Sequence, residues 1–161
     1  MTRRAPRHAS RQLALQALYA ADLAAVRTAR LGQAAPGPTS QATIFADVAA
    51  NFDLAEGARA FAEELVTGVL ARRAQIDAIL ADHTRNWRVE RMAAVDRNVL
   101  RIAVFELLET ATPTSVVLDE AIELARRFGD EPSPAFVNGV LHAVAQDMQR
   151  PLADARPGEG A

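Results

Sequence analysis

The chain contains no cysteine and no lysine, and only 5% of its 161 residues are aromatic. Without cysteine it cannot form a disulfide or a thiolate metal site, which fits a reducing compartment such as the cytoplasm. It also lacks a run of about 18 apolar residues that could cross a bilayer, and its arginine-rich start lacks the apolar stretch of a secretory signal. We therefore expect an unprocessed cytoplasmic protein without a membrane anchor.

The net charge of −2 hides an uneven distribution, and every basic residue apart from histidine is an arginine. Arg3, Arg4, Arg7 and Arg11 lie in the first eleven residues, which contain no acid, whereas acids outnumber arginines in the rest of the chain. Arginine binds phosphate through a bidentate fork and stacks on bases. The four arginines at the start of the chain therefore indicate a nucleic-acid ligand. The base composition of the genome would account equally well for the use of arginine instead of lysine.

Half of the residues are hydrophobic and alanine is abundant, which favours closely packed helices over a sheet. Because no segment shows the alternation of a strand, we predict an all-α fold. Residues 1–8 read as a flexible arm, since Pro6 interrupts a helix there. The predicted helices span residues 9–27, 42–51, 57–82 with a bend or break near Arg72, 89–109, 116–128 and 133–148, and a loop covers 28–41.

The last three helices carry unusual markers. Glu106 lies on the apolar face that Val95, Val99 and Ile102 define, so a carboxylate stands where an apolar residue is expected. If it is buried, it requires a partner from another helix, which makes an architectural role more probable than a catalytic one. Gly129 follows the next helix, and we expect it to end that helix in the left-handed conformation.

Ser133 and Pro134 mark the start of the final helix, as an N-cap hydroxyl followed by a proline at the first helical position. In the first turns after them, Phe136 and Asn138 could stack on and hydrogen-bond an unpaired base. The alternative, in which Phe136 packs inward and Asn138 bonds locally, fits the sequence about as well.

Nothing in the inventory of reactive residues predicts an enzyme. The three histidines, His8, His83 and His142, lack the spacing of metal ligands, and no glycine-rich loop follows a strand to hold phosphates. No serine lies in a nucleophile-elbow pattern. We therefore expect no catalytic residue, no metal and no cofactor.

The start of the first helix is the candidate for phosphate binding. Arginine side chains there combine with the exposed N–H groups and the positive end of the helix dipole. Tyr19, the only tyrosine, could add a stacking face. The alternative is a disordered arginine tail beside a core tyrosine.

Together with Arg11 and the run Gln16-Ala17-Leu18-Tyr19, the motifs between Val95 and Leu141 resemble the NusB family of bacterial transcription antitermination factors. The resemblance covers roughly residues 7–148. It implies two packed three-helix bundles, which divide here into about 9–84 and 85–150. After Pro151 the composition turns to Asp, Pro, Gly and Glu, which bury little, so a disordered tail is predicted over 151–161. The resemblance also implies a factor that binds single-stranded boxA RNA together with NusE, a small-subunit ribosomal protein, and assists RNA polymerase in transcribing ribosomal RNA operons.

The same resemblance assigns residues to these two partners. The residues implied in RNA binding are Arg7, Arg11, Gln16, Tyr19, Phe136 and Asn138. Asp96 matches an acidic position associated with NusE contact, and Tyr19 lies near that surface as well. Ala135 falls where a basic residue is common in the family, which predicts weak RNA affinity for this chain by itself.

Two other functions stay open at this stage. A NusB-like module also precedes the catalytic domain of ribosomal RNA cytosine methyltransferases, but no cofactor-binding unit follows it in this sequence. Alternatively, the chain is a helical protein-interaction scaffold whose basic arm is incidental. The sequence decides neither between monomer and homodimer nor whether the loop at 28–41 has a role.

Overall fold

The computed structural model describes residues 4–84 and 88–148, with side chains from Arg7 onward, and this part of the chain is all-α. The predicted fold class is therefore confirmed. The helices are α1 (Arg4–Arg30), α2 (Pro38–Ala49), α3 (Glu56–Ala71), α4 (Arg73–Asp82), α5 (Ala94–Glu109), α6 (Thr114–Phe128) and α7 (Ser133–Asp147), with a 3-10 turn at Val89–Arg91. The tail predicted at 151–161 lies outside the described residues.

The chain divides into two compact units, Met1–Ala71 and Arg72–Ala161. The sequence places the boundary at residue 84, and this prediction is wrong because α4 packs against α5 and α7 of the second unit. The second unit therefore contains four helices where three are expected. The predicted break near Arg72 is confirmed, since α3 ends at Ala71 and α4 begins at Arg73.

In the first unit, α1 packs against both α2 and α3 through its apolar face, which includes Leu13, Ala17 and Leu18. The buried hydroxyl of Ser10 donates a hydrogen bond of 2.7 Å to the carbonyl oxygen of Ala58 in α3. The predicted flexible arm is wrong for residues 4–8, which are helical. Pro6 is compatible with this because the N–H groups of a first helical turn have no acceptor within the helix.

In the second unit, α5 is the central helix and contacts α4, α6 and α7. All of its residues from Asn98 to Leu107 are buried. Three polar side chains are part of this core: Asn98, Arg101 and Glu106, the last of which is 1% exposed. Arg101 holds α4 through a bidentate pair with Asp77, in which Nε and Nη2 each lie 2.9 Å from a carboxylate oxygen. Such a fork satisfies a buried guanidinium with directional, charge-assisted hydrogen bonds.

The turn between α6 and α7 is held by a close approach between Gly129 and Ser133. A Cβ on Gly129 would lie 2.6 Å from Ser133 Oγ and 2.7 Å from the Ala125 carbonyl oxygen. The φ of Gly129 is −95°, so the predicted left-handed ending is wrong. Ser133 also differs from its predicted N-cap role, because its hydroxyl oxygen accepts a hydrogen bond of 3.0 Å from the Asp130 N–H. Glycine is required here for space rather than for its backbone conformation.

His83 and Asp147 join the end of α4 to the end of α7. The Nδ1 atom of His83 lies 2.8 Å from the Ile79 carbonyl oxygen, and its Nε2 atom lies 2.5 Å from Asp147 Oδ2. Burial by itself lowers the pKa of His83, but the hydrogen bonds to Ile79 and Asp147 and the charges of Asp147 and Asp82 outweigh it, so the pKa is raised. Because both ring nitrogens face acceptors, this geometry favours the imidazolium.

We predict that Gly129→Ala lowers the free energy of unfolding by about 1–3 kcal/mol, because the added methyl group overpacks a site bounded by backbone. Gly139→Ala is the control. A Cβ at Gly139 meets no atom within 4 Å, so the free energy should rise by about 0.5–1 kcal/mol because alanine favours the helix. Urea denaturation measures both variants. Equal or greater stability of Gly129→Ala would show that the turn can accommodate a side chain.

We predict that the stabilisation from His83 and Asp147 is present in full below the ordinary histidine pKa and is lost as the pH rises through the raised folded value. Asp147→Asn should therefore lower the free energy of unfolding most near pH 5–6 and least above about pH 8. The effect should be at most about 1 kcal/mol, since the Asp147 side chain is 74% exposed. Denaturation across this pH range tests it, with the exposed Asp53→Asn as a pH-independent control. A loss of stability in Asp147→Asn that grows with pH would contradict a stabilising pair between His83 and Asp147.

Candidate functional site

Two arginines at the start of α1 stack on one phenylalanine of α3. The guanidinium carbon of Arg7 lies 4.6 Å from the Phe61 ring centroid, and that of Arg11 lies 5.5 Å from the same centroid. Arg7 is exposed, so the ring orients its guanidinium while the side chain stays accessible to solvent.

Arg11 has a different environment from the one that the sequence suggests. It is only 2% exposed, between α1 and the aromatic ring of α3. A phosphate group cannot reach a guanidinium at this depth without a rearrangement of the first unit. The structure therefore supports a positioning role for Arg11, and Arg7 is the accessible cation of the pair.

Further along α1, Gln16 and Tyr19 lie on the outer face of the helix, and Tyr19 is 40% exposed. Leu23 and Val26 continue this face at helical spacing and are also exposed. Both residues lie inside the helix predicted over 9–27, but neither was predicted as a site residue, because a leucine or valine in a helix gives no signal by itself that it is exposed. Tyr19, Leu23 and Val26 together form an exposed apolar stripe.

In the second unit, Asp96 and Phe136 lie on the same pocket. The pocket has a volume of about 190 Å³ and is lined by Met92, Ala93, Asp96, Pro132, Ser133 and Phe136. Phe136 is half-buried, as is Asn138 two residues later. The sequence resemblance assigns Asp96 and Phe136 to different partners, yet the fold brings them together because α5 and α7 pack against each other.

One carboxylate oxygen of Asp96 lacks a hydrogen-bond donor. Asp96 Oδ1 is buried and has no partner within the described residues. Asp96 lies in the first turn of α5, where the helix dipole favours a negative charge. A buried acceptor without a donor is unfavourable, so this oxygen would gain from a ligand that carries an N–H group.

The start of α7 is a poorer anion site than its position suggests. The Ser133 N–H donates 3.0 Å to the Asp130 carbonyl oxygen, and Pro134 has no N–H. Asp130 and Glu131, on the turn before α7, are exposed acids. Most of the donors that would hold a phosphate at a helix N-terminus are therefore absent or already used.

The described residues contain no group of three or more His, Asp or Glu side chains arranged to hold a metal ion. Across the same residues, no helix is both long and apolar enough to span a membrane.

Comparison with known proteins identifies the family. A NusB family model matches residues 8–146. The chain belongs to the NusB family. It is 41% identical over 148 residues to the transcription antitermination protein NusB of Geobacter sulfurreducens, and this alignment covers 88% of the chain and 95% of that protein. The NusB of Solibacter usitatus is 50% identical over 93 residues, which cover 58% of this chain and only 64% of that relative.

Solved NusB structures share the fold. The T. maritima NusB structure has a TM-score of 0.72 and 30% identity, and the match covers 88% of this chain and 91% of that one. A structure of the antitermination factors NusB and NusE in complex with double-stranded RNA has a TM-score of 0.69 and 28% identity, with coverage of 91% and 99%. The NusB resemblance inferred from the sequence motifs is therefore confirmed.

We predict that Arg11→Ala lowers the free energy of unfolding by about 1–3 kcal/mol, because it removes a buried side chain that packs on the Phe61 ring. Arg7→Ala is the matched control on the same aromatic ring and should cost less than about 1 kcal/mol, since Arg7 is exposed. Chemical denaturation distinguishes the two variants. A cost for Arg11→Ala no larger than that for Arg7→Ala would contradict the positioning role.

Proposed function

We propose that this NusB family chain is a cytoplasmic, RNA-binding transcription antitermination factor. In this role it binds boxA RNA together with NusE and promotes processive transcription of ribosomal RNA operons by RNA polymerase. Family membership supports the antitermination role, and the similarity to a NusB that was solved with NusE and RNA supports the two partners. No catalytic step is part of this function.

The observation that carries the proposal is the exposed Arg7 guanidinium at the start of α1, stacked on Phe61. A guanidinium held against an aromatic ring loses less freedom when it binds a phosphate than a free side chain does. The exposed N–H groups of a helix start add to this attraction for an anion. Arg3 lies outside the described residues, and its contribution follows from the charge of the sequence alone.

Further contacts to RNA are proposed for side chains that are at least partly accessible. Gln16 is exposed and Asn138 is half-buried, and their amides can bond the edges of unpaired bases. The Tyr19 ring offers a stacking face. Phe136 lies on the pocket that it shares with Asp96, so its access to RNA depends on what occupies this pocket.

Contacts to NusE are proposed for Asp96 and for the apolar stripe that begins at Tyr19. The stripe continues with Leu23 and Val26, which are exposed at helical spacing. Exposed apolar patches on soluble proteins commonly mark protein interfaces. A protein partner is therefore a better match for the stripe than an RNA backbone.

We predict that binding to single-stranded boxA RNA weakens with salt. Four or five neutralised phosphates give a log-log slope of about −3, at roughly −0.7 for each phosphate. Arg7→Ala should weaken binding and reduce this slope by about 0.7. Arg30→Ala removes the same charge from the exposed other end of α1 and serves as the control. Fluorescence anisotropy at several salt concentrations measures the slopes.

An RNA affinity that does not change with salt concentration would count against the proposal. An Arg7→Ala variant with the same RNA affinity as the parent chain would count against it as well. The dependence on NusE is checked in the same assay, where NusE should increase the affinity for boxA RNA. NusE binding that is indifferent to RNA would instead favour a protein-interaction scaffold.

A further inference from the structure

We propose that the groove between α2 and α3 is a docking site for an amphipathic helix of a further protein partner, which carries a basic residue beside its apolar face. The groove has a volume of about 360 Å³. Its lining includes Ala42 and Phe45 of α2 and Glu63, Val66, Thr67 and Leu70 of α3. It is referred to below as the α2–α3 groove. None of the side chains proposed above for RNA or NusE lines it.

The α2–α3 groove exists because both helices pack on α1 and make few contacts with each other. Its floor belongs to the core of the first unit, since Phe45 is only 5% exposed and Val66 only 6%. Its rim carries the small side chains of Ala42 and Thr67, which are exposed. How closely two helix axes approach depends on the size of the side chains at the contact. The groove is therefore open to another helix without a rearrangement of α2 or α3.

The length of the groove matches a short helix. Glu63, Val66 and Leu70 follow one another at helical spacing along α3, and the helix rises about 10 Å over this stretch at 1.5 Å per residue. A partner helix of two to three turns would cover it with apolar side chains at i, i+4 and i+7. Such a helix would turn the three helices of the first unit into a four-helix bundle, in which facing apolar side chains form a common core.

The charge of the groove favours a basic helix over an RNA strand. Glu63 is exposed, and it is the one charged side chain among the described residues that line the groove. No ion pair in the described part of the chain involves it. Arg59, one turn earlier on α3, lies over the Phe45 ring at 5.9 Å from the centroid. The Glu63 carboxylate is thus available to an arginine or lysine of the partner, and it would repel a phosphate.

A second copy of this chain is a poorer occupant of the groove. The exposed apolar stripe of Tyr19, Leu23 and Val26 lies on α1, and it does not line the groove. A contact between the stripe of one copy and the groove of another would be heterologous. Two copies would then leave one groove and one stripe unfilled, and further copies would add to them. A helix of a different protein fills the groove without this consequence.

The test uses a synthetic helical peptide of about 18 residues as the probe, since shorter isolated helices are only marginally stable in water. The peptide is alanine-based, with leucines at i, i+4 and i+7 and an arginine next to them. A matched peptide has glutamate in place of the arginine. NMR titration of the labelled full chain follows the amide signals of Ala42 and Thr67. The arginine peptide should shift both signals, and the glutamate peptide should bind at least about threefold more weakly because it faces Glu63.

Variants of the chain locate the binding site. Thr67→Trp fills the groove and should remove the shift of Ala42, whereas Thr43→Trp adds the same side chain to the exposed outer face of α2 and is the matched control. Glu63→Gln should weaken binding of the arginine peptide about two- to fivefold, as expected for an exposed ion pair. Asp47→Asn, also exposed on α2, should leave it unchanged. Thermal melting verifies that each variant is folded.

Three results would overturn the proposal. The first is the absence of a shift at Ala42 and Thr67, or equal binding of the two peptides. The second is an equal loss of binding in Thr67→Trp and Thr43→Trp. The third is self-association of the parent chain, measured by sedimentation, that Thr67→Trp prevents, since the occupant would then be a second copy.

A last measurement separates the groove from the proposed function. The affinities of Thr67→Trp for boxA RNA and for NusE should equal those of the parent chain, because the groove shares no residue with either contact. A loss of either affinity would overturn the further partner and would assign the groove to RNA or to NusE. The peptide titration itself uses neither of these ligands, so its result stands even if the proposed function fails.

Discussion

The close approach between Gly129 and Ser133 is the constraint on which the second unit depends. Because Gly129 has no Cβ, the Ser133 hydroxyl can lie against the end of α6, where it accepts the Asp130 N–H. This contact fixes the turn and determines where α7 begins. The Ser133 N–H is also bonded within this turn, so it is not available to an anion at the start of α7. The pocket beside the turn is lined by the carboxylate of Asp96 and the ring of Phe136. The tight turn thus fixes the position of Ser133, which lines the pocket shared by Asp96 and Phe136.

Arginine serves both structure and binding in this chain, and burial separates the two roles. Arg101 is buried and joins two helices through Asp77, and Arg11 is buried beside Phe61. Arg7 stacks on the same ring as Arg11 but stays exposed. In a chain without lysine, a count of basic residues therefore overestimates the charge available to RNA. Among the side chains described at the start of α1, the exposed Arg7 is the cation that supports the proposed RNA contact.

Much of the fold was predictable because its signals are local. The helical composition and the break near Arg72 are examples of such signals. The unit boundary was not predictable, because α4 joins the second unit through tertiary contacts that include the buried pair of Asp77 and Arg101. Likewise, Gly129 was recognised as a helix end, but the reason for glycine is a contact four residues away. The pocket shared by Asp96 and Phe136 unites residues 40 positions apart, which no local pattern reveals.

We propose that RNA binding by this NusB family chain depends on the start of α1 and that NusE binding depends on Asp96. Chemical-shift mapping of the labelled chain, first with boxA RNA and then separately with NusE, tests this most directly. RNA should shift the amide signals around Arg7 at the start of α1, and NusE should shift those around Asp96 and Ser133. If RNA alone shifted the signals around Asp96 and left those around Arg7 unchanged, the account would be contradicted.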